Sequence, residues 1–373
     1  MLQKFFVAAF TMLALARAGA QQASAGTPVP SDSLTKTAGD DQKKEPFLTI
    51  TGSVDFYYKY DFAKTKANSL TSFTQTHNNF ALGMASVKFE HKGEKVGAVA
   101  DLGFGQRAKD FSYNDEGIGQ AIKQLYISYS PAEWVKFTLG TWATHVGYEL
   151  LDPQLNRNYS MSYMFTNGPF SHTGIKAEVT KGIHGFMLGV SNATDFRMAP
   201  EDHINRKFII AQYTVAPTEK LKLYFNFVEG KNPDTSVTNQ FDAVVTAKFS
   251  DKFNIACNAT LNSTRRWDGV KNIESKSWWG TALYLNYDPK NWLGLTLRSE
   301  LFSDKYQFKP FSTAAEGGKI FATTLSMNLK AGGFIFIPEI RVDNADKKVL
   351  FMDKNGAFTR TATSILVAAV YAF

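Results

Sequence analysis

The sequence has little cysteine, no concentrated charge and almost no long apolar run. Its 373 residues include one cysteine, Cys257, which excludes an intramolecular disulfide and a metal centre built from several cysteines. The formal net charge of +7 is spread along the chain, so it gives no indication of a nucleic-acid partner. No segment after residue 20 is long and apolar enough for a transmembrane helix, which needs about 20 residues.

Aromatic residues are abundant, with 31 phenylalanines and 15 tyrosines. The strands of a membrane β-barrel carry apolar residues at every second position, so their aromatic content is high without continuous apolar runs. The composition is typical of such a barrel. A soluble β-sandwich or a lipocalin-like barrel would also show alternation, but a chain of this length would then divide into several domains.

The first 46 residues differ from the rest. Lys4 precedes an apolar run over residues 5–16, and the small residues Ala18, Gly19 and Ala20 follow. This pattern predicts a secretory signal peptide over residues 1–20. Residues 21–46 are polar, rich in Ser, Thr, Gly and Pro, and lack periodicity, so we predict a disordered periplasmic linker. Residues 47–373 are the predicted transmembrane β-barrel.

Apolar and polar residues alternate from Leu48 to the end of the chain. Period two indicates strands with one apolar and one polar face. The length of each segment suits the roughly 9 to 11 tilted residues that cross a bilayer. We predict about sixteen strands, at 48–62, 79–91, 95–106, 119–130, 134–142, 172–180, 183–191, 206–216, 220–229, 239–250, 252–262, 276–287, 292–303, 319–330, 333–342 and 362–373.

The connections between these strands alternate in length. Turns such as Lys181-Gly182 and Ala331-Gly332 are short, and the connections between them are long. Short periplasmic turns and long extracellular loops are typical of an antiparallel up-and-down barrel in the bacterial outer membrane. An even number of strands also returns the C-terminus to the periplasmic side, where the linker began.

The C-terminal segment alternates and ends on an aromatic residue, Phe373. A closed barrel pairs its last strand with its first and places aromatic rings in the headgroup belt of the bilayer. We therefore expect two partners, outer-membrane lipid and the barrel-assembly machinery, which would receive the C-terminal strand ending in Phe373.

The inward faces of the predicted strands carry charges of both signs. Alternation places Arg298 and Glu300 on one inward face, and Glu339, Arg341 and Asp343 on another. About sixteen strands enclose an interior too wide for strand side chains alone to fill. This predicts a water-filled passage for small hydrophilic solutes, that is, a porin.

The connection over residues 144–171 is the longest and has few charges for an exposed loop. Long loops in compact folds are usually functional. We expect this connection to fold into the lumen and narrow the pore, opposite the strands of Arg298 and Arg341; the alternative is a surface loop packed on its neighbours or on an adjoining subunit. The pore-lining and constriction candidates are Glu149, Asp152, Arg157, Arg298, Glu300, Glu339, Arg341, Asp343, Lys59 and Lys176.

The same region resembles a known family. Residues Gly147 to Val179 (GYELLDPQLNRNYSMSYMFTNGPFSHTGIKAEV) are similar to the β-barrel porin-2, or OmpL-like, family. That family has a Gly-Tyr-Glu element leading through Asn-Tyr-Ser to Gly-Pro-Phe and His-Thr-Gly. The inward Arg298-x-Glu300 and Glu339-x-Arg341-x-Asp343 patterns look similar as well. The resemblance implies an outer-membrane porin without a defined substrate.

Three other functions are alternatives to a general porin. A sugar-specific channel would use an aromatic lining, for which Tyr57, Tyr126, Trp142 and Tyr284 are the inward candidates. A non-transporting structural barrel or adhesin would use its outer loops. An enzyme is not expected, because no histidine spacing matches a catalytic triad or a metal motif. No cofactor or metal is predicted, and a homotrimer is expected by analogy with general porins of this strand count.

Overall fold

A computed structural model describes residues 47–266, residue 270 and residues 273–373. The predicted signal peptide (1–20) and linker (21–46) lie outside the described residues, so both remain predictions. Among the residues that the structure does describe, no helix is long and apolar enough to span a membrane.

Sixteen antiparallel strands close into one barrel, each paired with its neighbours along the chain. The strands are β1 (Leu48–Asp61), β2 (Asn79–Lys92), β3 (Val96–Phe104), β4 (Ile122–Ala132), β5 (Val135–Ala143), β6 (Ser171–Lys181), β7 (His184–Ser191), β8 (Phe208–Thr218), β9 (Leu221–Lys231), β10 (Val237–Lys248), β11 (Phe253–Arg265), β12 (Lys276–Lys290), β13 (Leu293–Asp304), β14 (Gly318–Ala331), β15 (Phe334–Ala345) and β18 (Thr361–Ala372). A separate two-stranded hairpin, β16 (Phe351–Met352) and β17 (Phe358–Thr359), lies in the last long connection.

The barrel closes where β18 pairs with β1. Tyr57 lies opposite Ala368, and the ladder continues to the last residue. There the Gly52 amide donates to the Phe373 carbonyl oxygen at 3.0 Å, and the Phe373 amide donates to the Gly52 carbonyl oxygen at 3.0 Å. Closure satisfies the backbone groups of both edge strands, which a bilayer would otherwise leave without partners.

The two faces of the strands have opposite character. On β13, Thr296, Arg298 and Glu300 are buried toward the inside, while the intervening Leu297 and Ser299 face outward and are partly exposed. On β2 the outward Phe80 is 83% exposed. Large apolar side chains are exposed on every side of the barrel, which suits contact with lipid rather than water.

The predicted strands match the observed ones, with shifts of a few residues at their ends. The largest shift at a strand start is in β4, which begins at Ile122 rather than 119, because residues Gly117–Ala121 form a 3₁₀ turn. Two short helices, Gln106–Phe111 and Tyr163–Asn167, lie within long connections and were not predicted. Both bury side chains against the barrel, so packing rather than local helix propensity accounts for them.

Candidate functional site

Two inward arginines lie at matching positions on two strands that are separated by one other strand. Arg298 on β13 is opposite Thr324 on β14, and Thr324 is opposite Arg341 on β15. Both guanidinium groups are buried, although they stand on the polar face of the wall. A buried charge is tolerated only when it is paired and hydrogen-bonded. The partners of the two guanidinium groups therefore show which part of the chain the site binds.

Those partners belong largely to the connection between β5 and β6, residues 144–170, here called the long connection. Arg298 Nη1 lies 2.5 Å from Glu149 Oε1 and donates to the Ser160 carbonyl oxygen at 2.7 Å. Arg341 Nη1 donates to the Met161 carbonyl oxygen at 2.7 Å. The two arginines therefore hold adjacent carbonyl groups of one stretch of backbone.

The inward carboxylates bind the amide groups of the same stretch. Glu300 accepts from the backbone amides of Tyr163 and Met164, both at 2.8 Å. Glu339 accepts from the Tyr159 amide at 3.0 Å, and Asp343 accepts from the Tyr163 hydroxyl at 2.9 Å. Hydrogen bonds to charged groups are the stronger ones, so the wall binds this backbone through both its carbonyl and its amide groups.

Further ion pairs attach the long connection elsewhere on the wall. Arg157 makes two bonds to the Asp288 carboxylate, at 2.9 and 2.6 Å, close to the short turn that follows β12. Asp152 lies 2.5 Å from Lys123 on β4, which also contacts Asp101 at 3.0 Å. The long connection thus contacts inward side chains on well-separated strands of the barrel.

Small residues on the wall leave room for these contacts. A Cβ atom on Gly280 of β12 would lie 2.5 Å from Cγ of Met164, and one on Gly83 of β2 would lie 1.7 Å from Asp55 Oδ2. Asp55 is the carboxylate that accepts the Tyr159 hydroxyl hydrogen bond. A side chain at either glycine would displace the long connection or its partner.

The ten candidate residues fall into three groups. Six of them meet in the contacts around Arg298 and Arg341: Glu149, Arg298, Glu300, Glu339, Arg341 and Asp343. Asp152 and Arg157 form their ion pairs with Lys123 and Asp288 instead.

Lys59 and Lys176 form the third group, because each is bound by residues outside the long connection. Lys59 donates to the Ser69 hydroxyl at 2.8 Å and to the Thr74 carbonyl oxygen at 2.9 Å. Lys176 lies 3.3 Å from Glu178 and 5.2 Å from the centre of the Trp142 ring.

Sequence reasoning missed Arg107, which is fully buried in the short helix Gln106–Phe111. Its guanidinium lies between the rings of Phe73 and Tyr159, at 4.9 and 4.7 Å from their centres. It also donates to the Leu151 carbonyl oxygen at 3.2 Å. A six-residue helix in a loop has no periodicity that would have indicated an inward side chain.

Three of the four inward aromatic candidates are covered by other side chains and do not line an open passage. The Tyr57 ring lies 5.5 Å from Tyr159, and the Tyr284 ring lies 4.4 Å from Tyr148, both partners belonging to the long connection. Trp142 is buried beneath Lys176, whereas Tyr126 remains partly exposed. These rings therefore support the long connection more than they form a continuous aromatic surface.

His145 in the long connection and His172 at the start of β6 are both buried. Burial lowers the pKa of His145 to about 4, so its imidazole is neutral at pH 7. Its Nε2 lies 3.3 Å from the Phe227 carbonyl oxygen, and its ring lies 5.0 Å from that of His172. Across the described part of the chain, no group of three or more His, Cys, Asp or Glu side chains could hold a metal ion.

The interior is packed tightly where the long connection meets the wall of β10 to β12. Two cavities between the long connection and the wall of β10 to β12 have volumes of about 10 Å³ each. Inward side chains beside the short turns of β2 and β5 are more open, and Lys88, Glu90 and Lys136 remain between 34% and 45% exposed. They form ion pairs with one another and with Glu178, so this wall is polar with no dominant sign of charge.

The sequence profile of the beta-barrel porin-2, OmpL-like family matches residues 47–373, the whole barrel. The chain belongs to this family. It is therefore a porin of the bacterial outer membrane, as the resemblance in residues Gly147 to Val179 implied. No curated protein matches the chain.

Solved outer-membrane proteins share the fold of this porin at low sequence identity. The outer membrane channel DcaP of Acinetobacter baumannii superposes with a TM-score of 0.60 at 12% identity, covering 87% of this chain and 97% of DcaP. An anion-selective porin from Comamonas acidovorans gives 0.58 at 11%, covering 87% and 99%. OmpT of Vibrio cholerae in its trimer form gives 0.55 at 9%, also covering 87% and 99%.

Proposed function

We propose that this porin forms a water-filled passage for passive diffusion of small hydrophilic solutes, and that the long connection narrows it. The observation that carries the proposal is the set of hydrogen bonds by which Arg298, Arg341, Glu300 and Glu339 hold the backbone of residues 159–164. A surface loop would have no need of buried charged partners on the inward face of the barrel.

We infer that the passage runs beside β4 to β8. Toward the short turns, inward residues of these strands such as Gln212 and Thr214 on β8 stay partly exposed, although Phe208 and Ile210 nearer the long loops are buried. The inward residues of β11 to β15 are buried under the long connection. Lys176, Asp152 and Arg157 would border the constriction, and Lys59 would border it on the side of β1. With charges of both signs along this route, weak ion selectivity is expected.

The proposed partners follow from the same arrangement. The exposed apolar belt would contact outer-membrane lipid, and the C-terminal strand ending in Phe373 would be received by the barrel-assembly machinery. A homotrimer is proposed because the fold is shared with OmpT, which is described in a trimer form. None of these proposals requires a cofactor, a metal or a catalytic group.

Conductance of the refolded mature chain in a planar bilayer tests the proposal. We expect stable single-channel steps, weak cation-to-anion preference in a salt gradient, and liposome swelling that declines gradually with sugar size. Swelling with one sugar alone would favour a sugar-specific channel. A folded barrel that neither conducts nor swells would contradict the proposal and favour an adhesin or structural barrel.

Thiol modification tests the inferred route. With Cys257 replaced by serine, Thr214→Cys places a thiol on the partly exposed inward face of β8, and Asn258→Cys places one on β11 beneath the long connection. A charged thiol reagent should reduce the conductance of the Thr214 variant and leave the Asn258 variant unchanged. The reverse pattern would place the passage on the other side of the barrel.

A further inference from the structure

A cavity of about 350 Å³ opens above the long connection, on the side of the barrel with long loops. Four loops contribute to its lining: Ser72 and Gln75 after β1, Asp110 and Tyr113 after β3, Thr166 and Phe170 of the long connection, and Lys309 after β13. Its volume is within the range of about 300 to 1,000 Å³ that ligand sites occupy. A solute that entered from the side of the long loops would meet this cavity before the long connection.

The aromatic part of the cavity is held in a fixed orientation. Phe170 is buried and stacks on Phe111 at 5.8 Å, and the Tyr113 ring meets it edge-on at 6.2 Å. The Tyr113 hydroxyl donates to Asp195 Oδ2 at 3.0 Å, while Tyr113 as a whole remains 57% exposed. A fixed, exposed ring edge beside polar groups suits the C–H face of a hydroxylated ring or chain.

The polar part of the cavity contains the ammonium group of Lys309. The ammonium group of Lys309 makes no hydrogen bond and no ion pair with the residues that the structure describes. The backbone around it is nonetheless fixed, because the Asp304 carboxylate accepts from the amides of Phe308, Lys309 and Phe311 at 2.7 to 3.1 Å. Burial lowers the pKa of Lys309, and nearby Asp195 and Asp304 oppose that shift.

The remaining lining groups include the Asp110 carboxylate, which already accepts a hydrogen bond from Gln106 Nε2 at 2.6 Å, and neutral groups that can bind hydroxyls. The Asn167 amide donates to the Tyr163 carbonyl oxygen, which leaves its own carbonyl oxygen available. Ser72 uses its backbone amide to bind Thr166 and keeps its hydroxyl, and Gln75 is exposed at the rim. A partly desolvated ammonium among such groups is complementary to a carboxylate on a molecule that carries hydroxyls.

We propose that this cavity is a capture site for small hydroxylated carboxylates, such as sugar acids, above the constriction. The Lys309 ammonium would bind the carboxylate, and Gln75, Asn167 and Ser72 would bind hydroxyls against the Tyr113 ring. Its use as an entry site rests on the proposed channel function, but binding itself does not.

Calorimetric titration of the refolded full-length mature porin in detergent tests the site. The probes are glucuronate, glucose as the neutral sugar, and acetate as the carboxylate without hydroxyls. We expect the affinity for glucuronate to be about tenfold higher than the affinity for glucose or for acetate, because a charge-assisted bond and several hydroxyl bonds act together. Lys309→Gln should weaken glucuronate binding about tenfold. Lys305→Gln, in the same loop but outside the cavity, is the matched control and should bind as the parent does.

A second variant keeps the test valid if Lys309→Gln fails to fold. Gln75→Glu adds a negative charge at an exposed lining position and should also reduce glucuronate affinity. Equal affinity for glucuronate and glucose, or unchanged affinity in both variants, would overturn the site. Glucuronate binding without conductance would support the binding site and contradict the proposed channel. Conductance without glucuronate binding would support the channel and overturn the binding site.

Discussion

At the scale of single residues, the interior depends on charges that are buried only because each has a partner. Arg298 is 1% exposed and Glu149 is 6% exposed, and they meet at 2.5 Å. Removing one partner of such a pair leaves an uncompensated buried charge, which costs roughly 3 to 5 kcal/mol. The pair therefore couples the stability of the barrel to the position of the long connection.

Replacing Arg298 with methionine should lower the free energy of unfolding by roughly 3 to 5 kcal/mol, because Glu149 then stays buried without its cation. The double variant Arg298→Met with Glu149→Gln should recover a large part of that loss. Urea titration in lipid vesicles measures both. Lys248→Met, which breaks only an exposed pair with Asp251, is the control and should leave stability unchanged. Equal losses in the single and double variants would show that the ion pair is not the cause.

Asp195 offers a pH-dependent readout outside the strands. Burial raises its pKa to about 6, although the amides of Phe170 and Ser171 and the Tyr113 hydroxyl stabilise the charged form. Because the folded pKa exceeds the unfolded one, stability from this group is complete below about pH 4 and declines as pH rises through about 6. Above pH 7 the loss reaches roughly 3 kcal/mol.

Asp195→Asn keeps an acceptor for both amides and removes the titration. We expect the parent to lose more stability between pH 4 and pH 7 than this variant, with a difference of roughly 2 to 3 kcal/mol. Urea midpoints at the two pH values provide the measurement. Parallel pH profiles for the parent and the variant would exclude Asp195 as the titrating group.

At the scale of elements, the proposed constriction depends on the long connection. Deleting Pro153 to Phe165 removes the contacts to Arg298, Glu300 and Arg341 and leaves those side chains in a wider interior. We expect single-channel conductance to rise severalfold, measured in planar bilayers. Deleting the exposed segment Glu201 to Asn205 of another long loop is the control and should leave conductance near the parental value. An unchanged conductance in the first deletion would contradict the proposed constriction.

Strands were predictable from the sequence because their signal is local. Alternation between neighbours, as at Leu297, Arg298 and Ser299, reveals both the strand and its inward face without any knowledge of the fold. The contacts of the long connection were harder to predict from the sequence. That Glu149 meets Arg298, 149 positions away, depends on which strands the chain crosses on its way through the barrel. Arg107 was missed because a single helical turn is held by tertiary packing rather than by a pattern.

At the scale of the whole molecule, the barrel is closed by its last strand, which pairs with β1 up to Phe373. The backbone bonds between Gly52 and Phe373 do not need the phenylalanine ring, which is 66% exposed. Phe373→Ala should therefore refold in detergent as the parent does, while the amount of folded barrel in the outer membrane of an expressing cell falls severalfold.

Heat-modifiable migration on gels of outer-membrane fractions and of refolded protein measures both quantities. Phe334→Ala removes an outward ring next to Tyr371 on the neighbouring strand and is the matched control, because it changes the aromatic belt without changing the C-terminal residue. If the amount of folded barrel in cells falls for Phe373→Ala and not for Phe334→Ala, the terminal ring is recognised during assembly. Equal losses for both variants would assign the effect to lipid contact, since both rings face the bilayer.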